Sequence, residues 1–151
     1  MAKIPSIEQT YYYAAPPSRV FAALTEPDEL AKWFVDKAVF PHRKGGTFRL
    51  WWKGGYTMRG KVLAIESPDR LSLQWVDRFD RKKVFETEVT FTLKRKGSGT
   101  LLSVKHRGFR AGKRWIGLYG SIQSGWTFYL TNLRSVIEHE IDLRRKLDVL
   151  G

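Results

Sequence analysis

The chain has 151 residues, with 27 Lys and Arg against 15 Asp and Glu, a formal net charge of +12, and no cysteine. That length is one domain, residues 1–151, and 42% hydrophobic with 14% aromatic residues is too apolar for a disordered chain. Without cysteine there is no disulfide scaffold, thiol nucleophile or thiolate zinc site, and no apolar run approaches the ~18 residues of a membrane span.

Ile7 to Tyr13, dense in Tyr and Thr, reads as a strand. Pro16-Pro17 ends it, and Val20, Phe21 and Leu24 make one face of a short helix. A second short helix starts near Pro27, with Asp28 and Glu29 in its first turn and Leu30, Trp33 and Phe34 as its apolar face. From Val35 to Phe109 the period changes to two. Thr47 to Trp52 is a strand, Lys53-Gly54-Gly55 a hairpin turn, and Tyr56 to Glu66 a longer strand. After Ser67-Pro68-Asp69, Leu71, Leu73 and Trp75 alternate along the next strand, and Asp77 to Asp80 reads as a polar turn. Phe85, Thr87, Val89, Phe91 and Leu93 share a face of a strand from Lys83 to Lys94. Lys96-Gly97-Ser98-Gly99 turns into a last strand, where Thr100, Leu102, Val104 and His106 share a face. Gly108, Gly112, Gly117 and Gly120 make Lys105 to Gly120 read as a loop. From about Ser121 to Lys146 the period is 3.6, with Ile122, Trp126, Leu130, Leu133, Ile137 and Ile141 in one stripe. Arg144, Arg145 and Lys146 close that helix, where cations suit its dipole.

The order is strand, two short helices, about six antiparallel strands and one long helix. A sheet with one apolar face must cover it, and only the C-terminal helix is long enough. The predicted fold is α+β, a curved antiparallel sheet wrapped around that helix.

Several runs match a known pattern in order. They are Ala15-Pro16-Pro17 with Val20-Phe21, Leu24-Thr25-Glu26-Pro27, Trp33-Phe34, Gly45-Gly46-Thr47-Phe48, Gly60-Lys61-Val62, Ile65-Glu66-Ser67-Pro68, Val89-Thr90-Phe91 and Gly125-Trp126. Together they resemble the START-like (helix-grip, SRPBCC) superfamily, and within it the family named after the activator of the heat-shock-protein-90 ATPase. The resemblance runs from about Ile7 to Ile141. It implies a cavity between sheet and helix, and members that bind apolar or aromatic molecules, cyclise polyketides or bind the chaperone. A stress-response role follows from the same resemblance.

The aromatic residues fit such a cavity. Tyr11 and Tyr13 share a strand face; Phe48, Trp52, Met58, Trp75 and Phe85 lie on the inferred concave face; Trp126 and Tyr129 look back from the helix, with Phe34 beside them. Ligand pockets are concave and mostly apolar, and Tyr and Trp combine apolar area with a polar tip. An ordinary core would use the same residues. His106 is the inward histidine, a hydrogen-bonding contact for a ligand or a tie between strand and helix. Phe109, Trp115 and Tyr119, on the glycine-rich loop from Arg107 to Gly120, would form a lid at the mouth.

No catalytic residues, metal site or cofactor are predicted. His42, His106 and His139 sit in different elements, and no glycine spacing matches a phosphate loop or dinucleotide fingerprint. The cations cluster at Arg78 with Arg81-Lys82-Lys83, at Lys94-Arg95-Lys96, at Lys105 to Arg114, and at Arg144-Arg145-Lys146. Solvated surface explains these clusters best; the functional alternatives are nucleic acid, which is not the expected partner, and an acidic protein partner or chaperone. A monomer or homodimer is expected. MAKIPSIEQT carries no apolar h-region, so no signal peptide is predicted and the expected location is cytoplasmic. The function read from the sequence is a small-molecule binding protein, with a chaperone-associated interaction module as the alternative and a cyclase-like enzyme third.

Overall fold

A computed structural model describes residues 4–80 and 83–145. In chain order they form β1 (Ile7–Tyr13), α1 (Pro17–Thr25), α2 (Pro27–Trp33), β2 (Lys37–Val39), β3 (Thr47–Trp51), β4 (Thr57–Glu66), β5 (Arg70–Asp80), β6 (Lys83–Lys96), β7 (Gly99–Arg107) and α3 (Lys113–His139). Both short helices begin with Pro at the first helical position, where its missing N–H costs nothing. The strands form one antiparallel sheet in the order β1-β7-β6-β5-β4-β3-β2. Its inner face carries the alternating residues Leu71, Leu73 and Trp75 of β5, Phe85, Val89 and Phe91 of β6, and Leu102, Val104 and His106 of β7, all buried. α3 lies across that face. Trp126 meets Trp75, Phe91 and His106 from three different strands, and the Tyr13 hydroxyl of β1 donates to the Leu130 carbonyl at 2.8 Å. The helix-grip arrangement is therefore present as predicted.

Several boundaries differ from the sequence reading. β5 does not turn at Asp77 but runs on to Asp80, and Asp77 continues the inward alternation as a buried residue. The charge that suggested a turn is accommodated by a hydrogen bond from the Tyr56 hydroxyl at 2.8 Å. Short β2, an edge strand paired with β3, is too brief to show an alternation. The largest difference is in α3, which begins at Lys113 instead of Ser121, so Trp115 and Tyr119 belong to a helix and Phe109 is buried. No loop lid exists there. Gly117 and Gly120 cost the helix about 1 kcal/mol each, but Leu118 and Ile122 extend the Trp126–Leu130 stripe by two turns and their burial decides.

At its other end α3 stops at Glu140, which takes a left-handed conformation and returns its N–H to the Val136 carbonyl. Ile141 therefore leaves the stripe and is exposed. Arg144 does not cap α3. It donates to the Ala31 carbonyl of α2 at 2.9 Å and to the Val35 carbonyl at 3.1 Å, while pairing with Asp142. Its charge sits at the C-terminal end of α2, where the helix dipole favours a cation. Asn132, fully buried on α3, donates to the Trp33 carbonyl and Asp142 and accepts from the Leu143 N–H. Arg81, Lys82 and Lys146, named in the predicted basic clusters and helix end, lie outside the described residues.

Leu133 is 1% exposed on the helix face that covers the sheet. Leu133→Ala is expected to destabilise the protein by at least about 2 kcal/mol in chemical denaturation, as a core truncation does. A loss under about 0.5 kcal/mol would show that α3 does not cover the core.

Candidate functional site

The cavity forms where the sheet curls away from α3. It has a volume of about 410 Å³ and a lining from four parts of the chain. β5 supplies Trp75, Asp77 and Arg78; the β3–β4 hairpin supplies Trp52 and Tyr56; Phe34 follows α2; and α3 supplies Leu118, Ser121, Ile122, Gly125, Trp126 and Tyr129. The α3 residues recur every three or four positions, which is one helical face. Gly125 and Ser121 make the space on that face. A Cβ built on Gly125 would meet no atom within 4 Å.

Three rings make the floor. Phe34 stacks on Trp126 at 5.6 Å and on Trp75 at 6.2 Å, and the two indoles lie 5.3 Å apart. Below them the core holds a void of only about 20 Å³, room for a single water. The cavity is thus a cleft over an aromatic floor and does not run the length of the helix. Trp52, edge-on to Phe34 at 5.3 Å, and Tyr56 make the outer wall. Asp77 is the buried charge of the lining, 8% exposed. Its Oδ1 accepts from the Tyr56 hydroxyl, and its Oδ2 is buried with no hydrogen-bond partner. Burial holds this carboxyl above the usual carboxylate range. Burial, and then the neighbouring Asp77 charge, push the Tyr56 hydroxyl up as well, so it remains a donor.

Five of the residues predicted from sequence line this cavity: Phe34, Trp52, Trp75, Trp126 and Tyr129. The others stand elsewhere. Tyr13 is fully buried under α3, and Tyr11 is stacked on it with its hydroxyl donating to Gln9. Phe48 and Met58 are core residues of β3 and β4. Phe85 packs edge-on against Trp115, and Tyr119 against Phe109, around the first turns of α3. His106 is 0% exposed and lies behind Trp126. Its Nδ1 accepts from the Trp126 indole N–H at 3.0 Å, and its Nε2 pairs with the Thr87 hydroxyl at 2.7 Å. Desolvation pushes its pKa down to about 3, so the ring is neutral and its partners fix the tautomer with hydrogen on Nε2. It positions Trp126.

Sequence reasoning missed Tyr56, Asp77, Arg78, Leu118, Ser121, Ile122 and Gly125 as lining residues. Two signals could have found three of them. Extending the Leu71–Leu73–Trp75 alternation by one step gives Asp77, and stepping back from Trp126 by four and eight gives Ile122 and Leu118.

Comparison with known proteins places this geometry in a family. The model of the activator of Hsp90 ATPase homolog 1-like proteins matches residues 14–138. No curated protein matches the chain. Among solved structures, CalU16 from Micromonospora echinospora is 30% identical, with a TM-score of 0.71 over 89% of this chain and 77% of that one. A protein from Mesorhizobium loti is 27% identical, with a TM-score of 0.79 over 88% of this chain and 96% of that one. An HSP90 activator from Plasmodium falciparum, 24% identical with a TM-score of 0.74 over 89% of this chain and 96% of that one, shares the fold. With its sheet gripping α3 and its sequence matched over most of its length, the chain belongs to the activator of Hsp90 ATPase homolog 1-like family.

Proposed function

We propose that this protein binds a small, flat, largely apolar molecule in the cleft between β5, the β3–β4 hairpin and α3. The observation that carries this reading is the lining itself: six aromatic side chains around about 410 Å³, within the size range of small-molecule sites. A stacked floor of Phe34, Trp75 and Trp126 offers a face to a planar ligand, and Gly125 leaves room for its edge. The Tyr56 hydroxyl, which has the Asp77 carboxylate beside it, is held protonated by burial and by that charge, so binding is the property the geometry supports.

The test is a titration with 2-methylnaphthalene, read by indole emission, because a ring against Trp75 or Trp126 excludes water from them. Saturable binding is expected. Gly125→Leu should weaken it at least about tenfold by filling the cleft. The same change should leave thermal stability unchanged or raised, since Gly is the poorest helix former after Pro. No saturation in the wild type, or unaltered affinity in Gly125→Leu, would overturn the reading. Native mass spectrometry of freshly purified protein supplies the complementary search for a co-purified molecule.

Family membership favours a second reading, association with a chaperone through the basic exterior. Lys94, Arg95, Lys96, Lys105 and Arg110 are exposed and would supply it. That reading expects salt-sensitive binding to an acidic protein and no effect of Gly125→Leu.

A further inference from the structure

The cleft is apolar except at one end, where a buried carboxylate stands without full compensation. Asp77 comes from the inward face of β5, 8% exposed. One oxygen holds the Tyr56 hydroxyl at 2.8 Å; the other has no donor. Arg78 shares the lining but does not hydrogen-bond that oxygen. A buried acceptor left unpaired is unfavourable, more so when charged. Such a group at the wall of a binding site is most simply explained by a donor that arrives with the ligand. Around it stand Trp52, Tyr56, Trp75 and Trp126, whose ring faces attract cations. In this structure Oδ2 is covered, and a donor on the ligand reaches it by rotation about χ2, which is broad for Asp.

We propose that Asp77 makes the cleft selective for aromatic amines, with a protonated amino group on the ligand donating to the Asp77 carboxylate while its ring lies on the Phe34–Trp75–Trp126 floor. This rests on the cleft being the ligand site. It runs against the expectation from net charge, since +12 draws anions to the surface. Inside the cleft the local carboxylate outweighs that field, because an ion pair at contact in a water-poor site is much stronger than screened charges at a distance.

The raised carboxyl of Asp77 agrees with this, for it reflects burial that no cation among the described residues offsets. Tyr56 has a defined part. Its hydroxyl occupies one oxygen and so directs the ligand to the other.

Four ligands with one ring system separate the possibilities by calorimetry: 2-(1-naphthyl)ethylamine, 2-(1-naphthyl)ethanol, 1-naphthylacetate and 1-ethylnaphthalene. The amine is expected to bind the wild type about tenfold or more tighter than the alcohol, and the acetate weakest, as charge-assisted bonds exceed neutral ones. Asp77→Asn, which keeps an acceptor for Tyr56 but removes the charge, should bring amine and alcohol within about twofold of each other. Tyr56→Phe should keep the preference for the amine, which guards against a general loss of fold in this wall. Equal binding of amine and alcohol, or tightest binding of the acetate, would overturn the proposal and leave the cleft as a ligand site if 1-ethylnaphthalene still binds. Failure of all four would overturn both.

Discussion

Gly60→Ala is expected to lower stability by about 4 kcal/mol or more, among the largest effects of any single methyl group in this chain. Gly60 is on the inner face of β4, between Met58 and Val62 and opposite Phe48 of β3. A Cβ there would stand 2.0 Å from the Gln74 carbonyl of β5 and 2.9 Å from the Phe48 ring. The first contact is with backbone, so no rotamer change relieves it. Glycine in a strand interior marks such a close approach of a neighbouring backbone. Relief requires β4 and β5 to separate, breaking ladder bonds on both sides and moving Trp75, the residue after Gln74, out of the floor of the cleft. Gly125→Ala is the matched control. Its Cβ meets nothing, its backbone is helical, and a gain of about 0.5–1 kcal/mol is expected. Chemical denaturation of both variants checks the pair. A cost of no more than about 1 kcal/mol for Gly60→Ala would mean that β5 does not press on β4 there.

Gly60 also shows where the sequence stops being legible. The strand around it was readable from the alternation of its neighbours, but nothing in Met58-Arg59-Gly60 says that β5 crosses so near. Close approach is a property of two strands far apart in the chain. The same limit applies to the site. Phe34, Trp75 and Trp126 were legible because each sits on a period, and a period says which way a side chain faces. Whether an inward ring ends in core or at a cavity depends on what stands opposite. Tyr13, Phe48 and Phe85 have the same pattern as Trp75, yet Leu130, Gly60 and Trp115 close over them. Asp77 was misread because a charge in a strand looks like a turn until its partner is known, and Tyr56 lies 21 residues away. The start of α3 was misread because helix propensity is local, whereas the burial of Leu118 and Ile122 is not.

His106→Ala is expected to cost about 3–5 kcal/mol, because it opens a cavity under Trp126 and leaves the buried indole N–H of Trp126 without its acceptor. The hydrogen bonds form one chain through the core. The Trp126 indole N–H donates to His106 Nδ1, His106 Nε2–H donates to the Thr87 hydroxyl, and that hydroxyl donates to the Trp75 carbonyl at 3.3 Å. The chain joins the Trp126 indole to the main chain at Trp75 through a neutral imidazole. Its neutrality makes the fold sensitive to acid. Folded, the ring resists protonation down to a pH of about 3; unfolded, it takes a proton near 6.5. Between those values the unfolded state binds more protons, so stability falls as the pH is lowered. At pH 5 the loss relative to pH 7 is about 2 kcal/mol, 1.5 units below the unfolded value at 1.36 kcal/mol each. Glu29, held low by its hydrogen bond from Lys32, adds a loss only below its own unfolded range, and Asp77, held high, acts in the opposite sense. His106→Gln separates these terms. Its amide can accept from Trp126 and donate to Thr87 but cannot titrate, so denaturation midpoints between pH 7 and 5 should fall in the wild type and flatten in the variant. Equal acid slopes in the two would show that His106 is not the group that titrates. A proton forced onto Nδ1 would also deprive Trp126 of its acceptor and loosen the floor on which a ligand rests. Affinity for a neutral ligand such as 2-methylnaphthalene should therefore fail at the same low pH at which the fold does, and not before it.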